Sequence, residues 1–235
     1  TTLKLAGIGG GCTLEEYRGQ GLMNLLMERC VDDMKSEGYH LSWLGGQRQR
    51  YQYYGYEKCG NNCQVSLRRT NFRHAGRELR DTHFEAMGGE YADRVAVARA
   101  YHEAKPIHVM RWQEEFVLYL LSGYSEPWFA LDPDDKVIGY LVTTTEATGI
   151  REIASENTET SIDILHAWSN RIDKDLSVTV QPHDVSLARA LTELGESASV
   201  SLSGNWQVYD WSTTLTALMQ VKHTTSGLAE GEVRI

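Results

Sequence analysis

Thr13-Leu14-Glu15-Glu16-Tyr17-Arg18-Gly19-Gln20-Gly21-Leu22-Met23 stands between a strand-like stretch and an amphipathic helical one. A helix that starts there presents several backbone N–H groups without an intrahelical acceptor, together with the positive end of its dipole. Such a terminus suits an anion, a pyrophosphate above all. Gly19 and Gly21 remove side chains where a phosphate has to come close, and Arg18 adds a fixed positive charge.

Working outward, Leu3–Cys12 reads as a strand that is bulged or splayed near Gly9-Gly10-Gly11. Leu22–Ser36 has a helical period, with Leu22, Leu25, Leu26 and Cys30 expected on the buried face, widened by Met23, Met27 and Met34. Asn24, Glu28, Asp32 and Lys35 fall on the polar side, and Gly38 suits the end of the helix. Tyr39–Leu44 reads as a strand, Gln49–Tyr54 as a short helix and Gln64–Arg69 as a further strand. Beyond about residue 75 a second α/β pattern follows: helices over Tyr91–Ala104 and Arg111–Ser122, and a hairpin of Trp128–Leu131 with Val137–Thr144. It continues with a strand Ile150–Ala154, a helix Thr160–Ile172, a strand Leu176–Val180 and a helix Ser186–Leu194. A strand near Trp206–Trp211 and a helix from Ser212 to Val221 would open a third unit.

Composition narrows the partners. The 235 residues carry a formal net charge of -9, which argues against nucleic acid as the main partner. No apolar run approaches the roughly 20 residues of a membrane span. Four cysteines, Cys12, Cys30, Cys59 and Cys63, are sparse and read as reduced thiols of a cytoplasmic protein. Cys12 reads as a small buried strand cysteine. Cys59 and Cys63 followed by His74 and His83 would need both pairs to converge for zinc, and no metal is expected. The chain opens on Thr1-Thr2 and closes on Glu232-Val233-Arg234-Ile235, an alternating run like an unfinished strand, so a fragment is expected.

Gly7-Ile8-Gly9-Gly10-Gly11-Cys12 has the look of a dinucleotide fingerprint, but Cys12 takes the last glycine position and no acidic ribose ligand follows at the right spacing. Thr13 and Glu16 instead fit a capping box and predict a single helical turn.

Arg18-Gly19-Gln20-Gly21-Leu22-Met23 resembles the acetyl-CoA loop of the GNAT N-acetyltransferase superfamily, Arg/Gln-x-x-Gly-x-Gly/Ala. Arg18 and Gly21 match, and Met23 stands where Gly or Ala is usual. Arg50-Tyr51-Gln52-Tyr53-Tyr54-Gly55-Tyr56-Glu57, one helix and one strand later, resembles the superfamily's second motif in the form found in enhanced intracellular survival proteins. The resemblance implies an α/β (α+β) chain of tandem GNAT-like acyl-CoA N-acyltransferase folds, mixed sheets flanked by helices. Residues 1–75 would be the C-terminal part of the acetyl-CoA-binding domain, 76–205 a second GNAT-like domain, and 206–235 the start of a sterol-carrier-protein-like domain. The second domain has no Arg-x-x-Gly-x-Gly loop and would shape the acceptor cleft.

The implied activity is transfer of an acetyl group from acetyl-CoA to a primary amine of a small molecule or a lysine side chain. The alternative is a non-catalytic acyl-CoA-binding or interaction module, and a homo-oligomer stays open. Gly11, Cys12 and Thr13 would hold the pantetheine arm. The amides of Gly19, Gln20, Gly21, Leu22, Met23 and Asn24 would cradle the pyrophosphate with Arg18 in support. Gly46 and Gln47 would line the other side of the channel, and Trp43 could border a substrate pocket. Tyr51 would protonate the departing thiolate. From free tyrosine, near 10, to a free thiolate, near 8.5, that transfer is uphill by roughly 2 kcal/mol. Arg48 and Arg50 are the neighbours that could ease it. The survival-protein branch takes its base from the C-terminal carboxylate of its third domain; Glu57 or a water chain is the substitute within this stretch.

Overall fold

The computed structural model describes residues 1–88 and 90–228, so the Glu232–Ile235 alternation lies outside the described residues. The chain forms two compact units, Thr1–Asn61 together with the segment from Leu202 on, and Asn62–Ser201.

The first unit is built on a parallel pair with a helical crossover. Strand β1 (Leu5–Ile8) leads through a 3-10 turn at Glu15–Tyr17 into helix α1 (Leu22–Ser36), which returns the chain to β2 (Leu41–Leu44). Parallel strands cannot be joined by a tight turn, so the helix between them is the expected solution. The pairing runs from Leu5↔Leu41 to Ile8↔Leu44 and stops. Beyond it come a short helix α2 (Arg48–Tyr51), a 3-10 turn at Gln52–Tyr54 and the first half of β3 (Glu57–Leu67). Strand β9 (Ser197–Val208) lies antiparallel to β2, with Leu41↔Val208 and Leu44↔Asn205, before helix α8 (Trp211–Ser226).

Helix α1 occupies the predicted residues and ends as Gly38 predicts. Gly38 has φ +71°, and the Tyr39 amide bonds back to the Met34 carbonyl at 3.0 Å. Its orientation differs from the sequence expectation. Met27, Val31 and Met34 point inward, whereas Leu22, Leu25 and Leu26 are 38, 64 and 56% exposed. Apolar residues wrap most of the way round the first two turns, so periodicity alone does not choose a face. The narrow sheet selects the stripe that meets Leu44 and Tyr56.

The second unit holds the second half of β3, α3 (Arg69–His74), β4 (His83–Ala86), α4 (Ala92–Glu103), α5 (Phe116–Leu121), β5 (Ser125–Leu131) and β6 (Val137–Thr144). It continues with β7 (Gly149–Ser155), α6 (Thr158–Ile172), β8 (Leu176–Val180) and α7 (Val185–Leu194). The sheet order is β3-β8-β7-β6-β5-β4, mixed, with β7 and β8 its parallel pair. Seven of the eight β6 residues are buried, as a central strand covered on both faces requires. One face packs Ile164, Leu165, Trp168, Leu187 and Leu191 against Val65, Leu141 and Val178, and the other packs Val95, Ala98, Phe116 and Leu120 against Phe129 and Tyr140.

The segment from Leu202 on belongs to the first unit, where β9 pairs with β2. That is a long-range strand pairing, which no local pattern encodes. Helix α3 and strand β4 also carry no strong periodicity in so few residues.

Candidate active site

The Thr13–Met23 stretch folds as one 3-10 turn and then the start of α1. The turn forms where Thr13 and Glu16 predict it, but Leu14 is its N-cap and no side chain closes it, so there is no capping box. Gly21 is the N-cap of α1 at φ +76° and ψ +6°, with no side-chain cap. Gly19 stands at φ +78°. A Cβ at either glycine would meet nothing within 4 Å, so it is the left-handed backbone, not crowding within the protein, that calls for glycine. The Leu25 amide makes the first helical bond, to Gly21 O at 3.1 Å. The amides of Leu22, Met23 and Asn24 precede it and lack an intrahelical acceptor. Helices α6 and α8, by contrast, close their ends with Asn157 and Asp210 side chains.

Beside this terminus lies an open groove of about 930 Å³. One wall is the polar stripe of α1, Asn24, Glu28, Asp32 and Lys35, with Met23, Met27 and Val31 at its floor. The opposite wall is Gln49, Arg50, Tyr51, Tyr53 and Tyr54, and Gly11 closes one end. Of the residues expected at a site, the groove gathers Gly11, Met23, Asn24 and Tyr51. Cys12, Thr13, Arg18, Gly19, Gln20, Gly21, Leu22, Gly46 and Gln47 are not on its lining. Arg18 is exposed, 4.0 Å from Glu15, and Gln47 caps α2 by position only. Cys12 is exposed rather than buried, because β1 ends at Ile8 and the chain beyond has left the sheet.

The tyrosine cluster separates into distinct roles. Tyr51 is half-buried on the groove wall, its ring against Gly46. The Tyr54 hydroxyl donates to Asn24 Oδ1 at 2.7 Å, tying the turn to the first turn of α1, and burial raises its pKa. Tyr53 is 81% exposed. Tyr56 is fully buried and shares Ser42 Oγ with Tyr209, at 2.6 and 2.8 Å; burial pushes its phenol well above the ordinary tyrosine range. A phenol so committed is a structural pin.

Two sequence expectations change. Arg48 does not face Tyr51 as a free cation, since its guanidinium donates to both oxygens of Glu57 at 2.6 and 2.8 Å. The same contact holds the Glu57 carboxyl below the usual carboxylate range, which makes it a poorer proton acceptor. Trp43 is on the face opposite Ser42 and Leu44, pointing away from α1, with Nε1 donating to Ser203 O at 3.0 Å. Sequence reasoning missed Glu28, Asp32 and Lys35 as groove residues because they read as a solvated helix face.

The second unit repeats the strand–helix–strand order with a different outcome. Asn157 Oδ1 accepts the Thr160 amide at 2.9 Å, and the Ile153 carbonyl takes Lys105 Nζ at 2.6 Å. Burial pulls the Lys105 pKa down. Among the described residues no three His, Cys, Asp or Glu side chains group to hold a metal, and no helix is long and apolar enough to cross a membrane.

A mixed sheet flanked by helices matches the fold of the GNAT acyltransferases. Residues 1–59 match the sequence model of the acetyltransferase (GNAT) domain family. Among solved structures, the chain is similar to a GCN5-related N-acetyltransferase from Kribbella flavida, at 19% identity and a TM-score of 0.60, over 88% of this chain and 53% of that one. It is similar to a probable N-acyltransferase of unknown function from Enterococcus faecalis, at 16% identity and a TM-score of 0.60, over 90% and 56%. It is also similar to Eis1 from Mycobacterium abscessus, at 14% identity and a TM-score of 0.50, over 91% and 58%. The chain therefore spans a little over half the length of these structures. No curated protein matches it.

Proposed function

We propose that the first unit binds acetyl-CoA along the α1 groove and transfers its acetyl group to a primary amine, either of a small molecule or of a lysine side chain. The observation that carries this reading is the uncapped N-terminus of α1, opened by Gly19 and Gly21, beside the groove that holds Tyr51. The amides of Leu22, Met23 and Asn24 supply donors for a pyrophosphate, and the dipole favours its charge. Arg18 is exposed, 4.0 Å from Glu15, and would turn from that carboxylate to meet an anion.

The reaction needs a neutral amine to attack the thioester carbonyl and a proton for the sulfur that leaves. Tyr51 is the proton donor in this reading, with its ring seated on Gly46 and its edge toward the groove. Backbone groups of Gly11–Thr13, beyond the last β1–β2 pair at Ile8, would hold the pantetheine arm, with one amide polarising the carbonyl. The tandem reading, with residues 1–75 and 76–205 as GNAT-like domains and a third beginning at 206, belongs to the same proposal. In it the second domain holds no second cofactor, consistent with the Asn157 cap and the Lys105–Ile153 contact.

A binding-only module is the second reading, favoured by the Arg48–Glu57 pair, which commits the carboxylate that the sequence offered as a base. A thiol-reactive dye assay for CoA release across a panel of amines separates the two. Release with at least one amine supports transfer; tight CoA binding without release from any amine supports the module.

A further inference from the structure

We propose that Asn205 is a positioning residue for Tyr51, acting through the Gly46 peptide. The inference rests on the reading of Tyr51 as the proton donor. Asn205 lies 159 residues beyond Gly46 in the chain and arrives beside it because β9 pairs with β2, Leu44 opposite Asn205. Its Nδ2 donates to the Gly46 carbonyl at 3.0 Å and, less closely, to the Leu44 carbonyl at 3.4 Å.

Gly46 has φ +133°, a backbone conformation that side-chain-bearing residues rarely adopt. A Cβ on Gly46 would stand 2.8 Å from Tyr51 Cε2, so the Tyr51 ring rests directly on the Gly46 backbone. The orientation of that peptide sets where the ring sits. Asn205 holds that peptide through its carbonyl.

The carboxamide is an expensive choice for a packing position. Asn205 is 1% exposed, and its Oδ1 has no donor among the described residues. A leucine of similar shape would remove that unpaired oxygen, but it would also take the donor away from the Gly46 carbonyl. The donor half is then what the position is used for. A loop held this way keeps a proton donor within the small tolerance that catalysis demands.

The test is a double-mutant cycle on the whole chain, Asn205→Leu and Tyr51→Phe alone and together, read by steady-state CoA release, alongside a crystal structure of Asn205→Leu. The expected result is a fall in kcat of roughly tenfold or more for Asn205→Leu, with KM for acetyl-CoA within about twofold of the parent. In the Tyr51→Phe background the same substitution is expected to cost less than about twofold, because its target is gone. Equal losses in both backgrounds, or a change confined to KM, would overturn the proposal. If Tyr51→Phe alone leaves turnover intact, it is the proton-donor reading that fails. The crystal structure then decides positioning by itself: a displaced Tyr51 ring supports it, and a ring unmoved against Gly46 refutes it. Asn205→Ala takes the same measurements should the leucine variant not fold.

Discussion

Replacing Gly21 with valine tests the anion cradle at its most constrained atom. Gly21 sits at φ +76°, where an L side chain costs about 1–2 kcal/mol, and a β-branched one is the worst fitted. The chain can relieve that cost by returning φ to negative values, which turns the amides of Leu22, Met23 and Asn24 away from a common point. Each hydrogen bond to a charged phosphate contributes about 1.5–3 kcal/mol. Losing one therefore weakens CoA binding by roughly tenfold to a hundredfold. Asparagine tolerates the left-handed region, and a Cβ here meets open space, so Gly21→Asn should bind within about threefold of the parent. Calorimetric titration with CoA, with melting followed by circular dichroism, reads both effects. A folded Gly21→Val variant that binds CoA as tightly as the parent would refute the cradle.

Tyr51→Phe should slow turnover by ~10²-fold or more while CoA affinity stays put, and unchanged turnover in the release assay would remove Tyr51 from the chemistry. Asn157→Ala should cost about 1 kcal/mol in thermal unfolding through loss of the α6 cap, with CoA titrations unaltered; a lost CoA site would contradict the assignment of the groove to α1. In the second unit Glu152 is partly buried and takes both Arg111 nitrogens at 2.8 and 2.9 Å. Arg111→Met removes both of those bonds while the Tyr140 and His102 contacts remain, and should cost about 1.5–3 kcal/mol, measured by urea unfolding. Despite its partial burial, the bonds from His102 and Arg111 hold the Glu152 carboxyl below its unfolded value of 4.5. A depressed pKa contributes stability that is complete above the unfolded value and is lost as pH falls through the folded one. Melting temperature should therefore fall more steeply with acid, from about pH 4.5 downward, in the parent than in Glu152→Gln. Parallel acid profiles would show that Glu152 is not the group responsible.

What the sequence determined by itself is what neighbours in the chain decide. Helix α1 keeps the predicted Leu22–Ser36 limits because Gly21 and Gly38 end it by backbone conformation, a property of single residues. Strand β8 keeps Leu176–Val180, and α7 stops before Gly195, for similarly local reasons. The Arg18–Met23 and Arg50–Glu57 motifs could be read for the same cause: the donors and the tyrosine belong to contiguous segments. The tertiary structure decided everything that depends on partners brought from afar. It turned Leu22, Leu25 and Leu26 outward and made the polar stripe of α1 a groove wall, since a helix with apolar residues on most sides takes its face from what packs on it. It gave Arg48 to Glu57, exposed Cys12 where β1 runs out, and set Asn205 on the Gly46 carbonyl. Pairings across such separations depend on loop closure and strand register, and neither is written in any window of neighbouring residues.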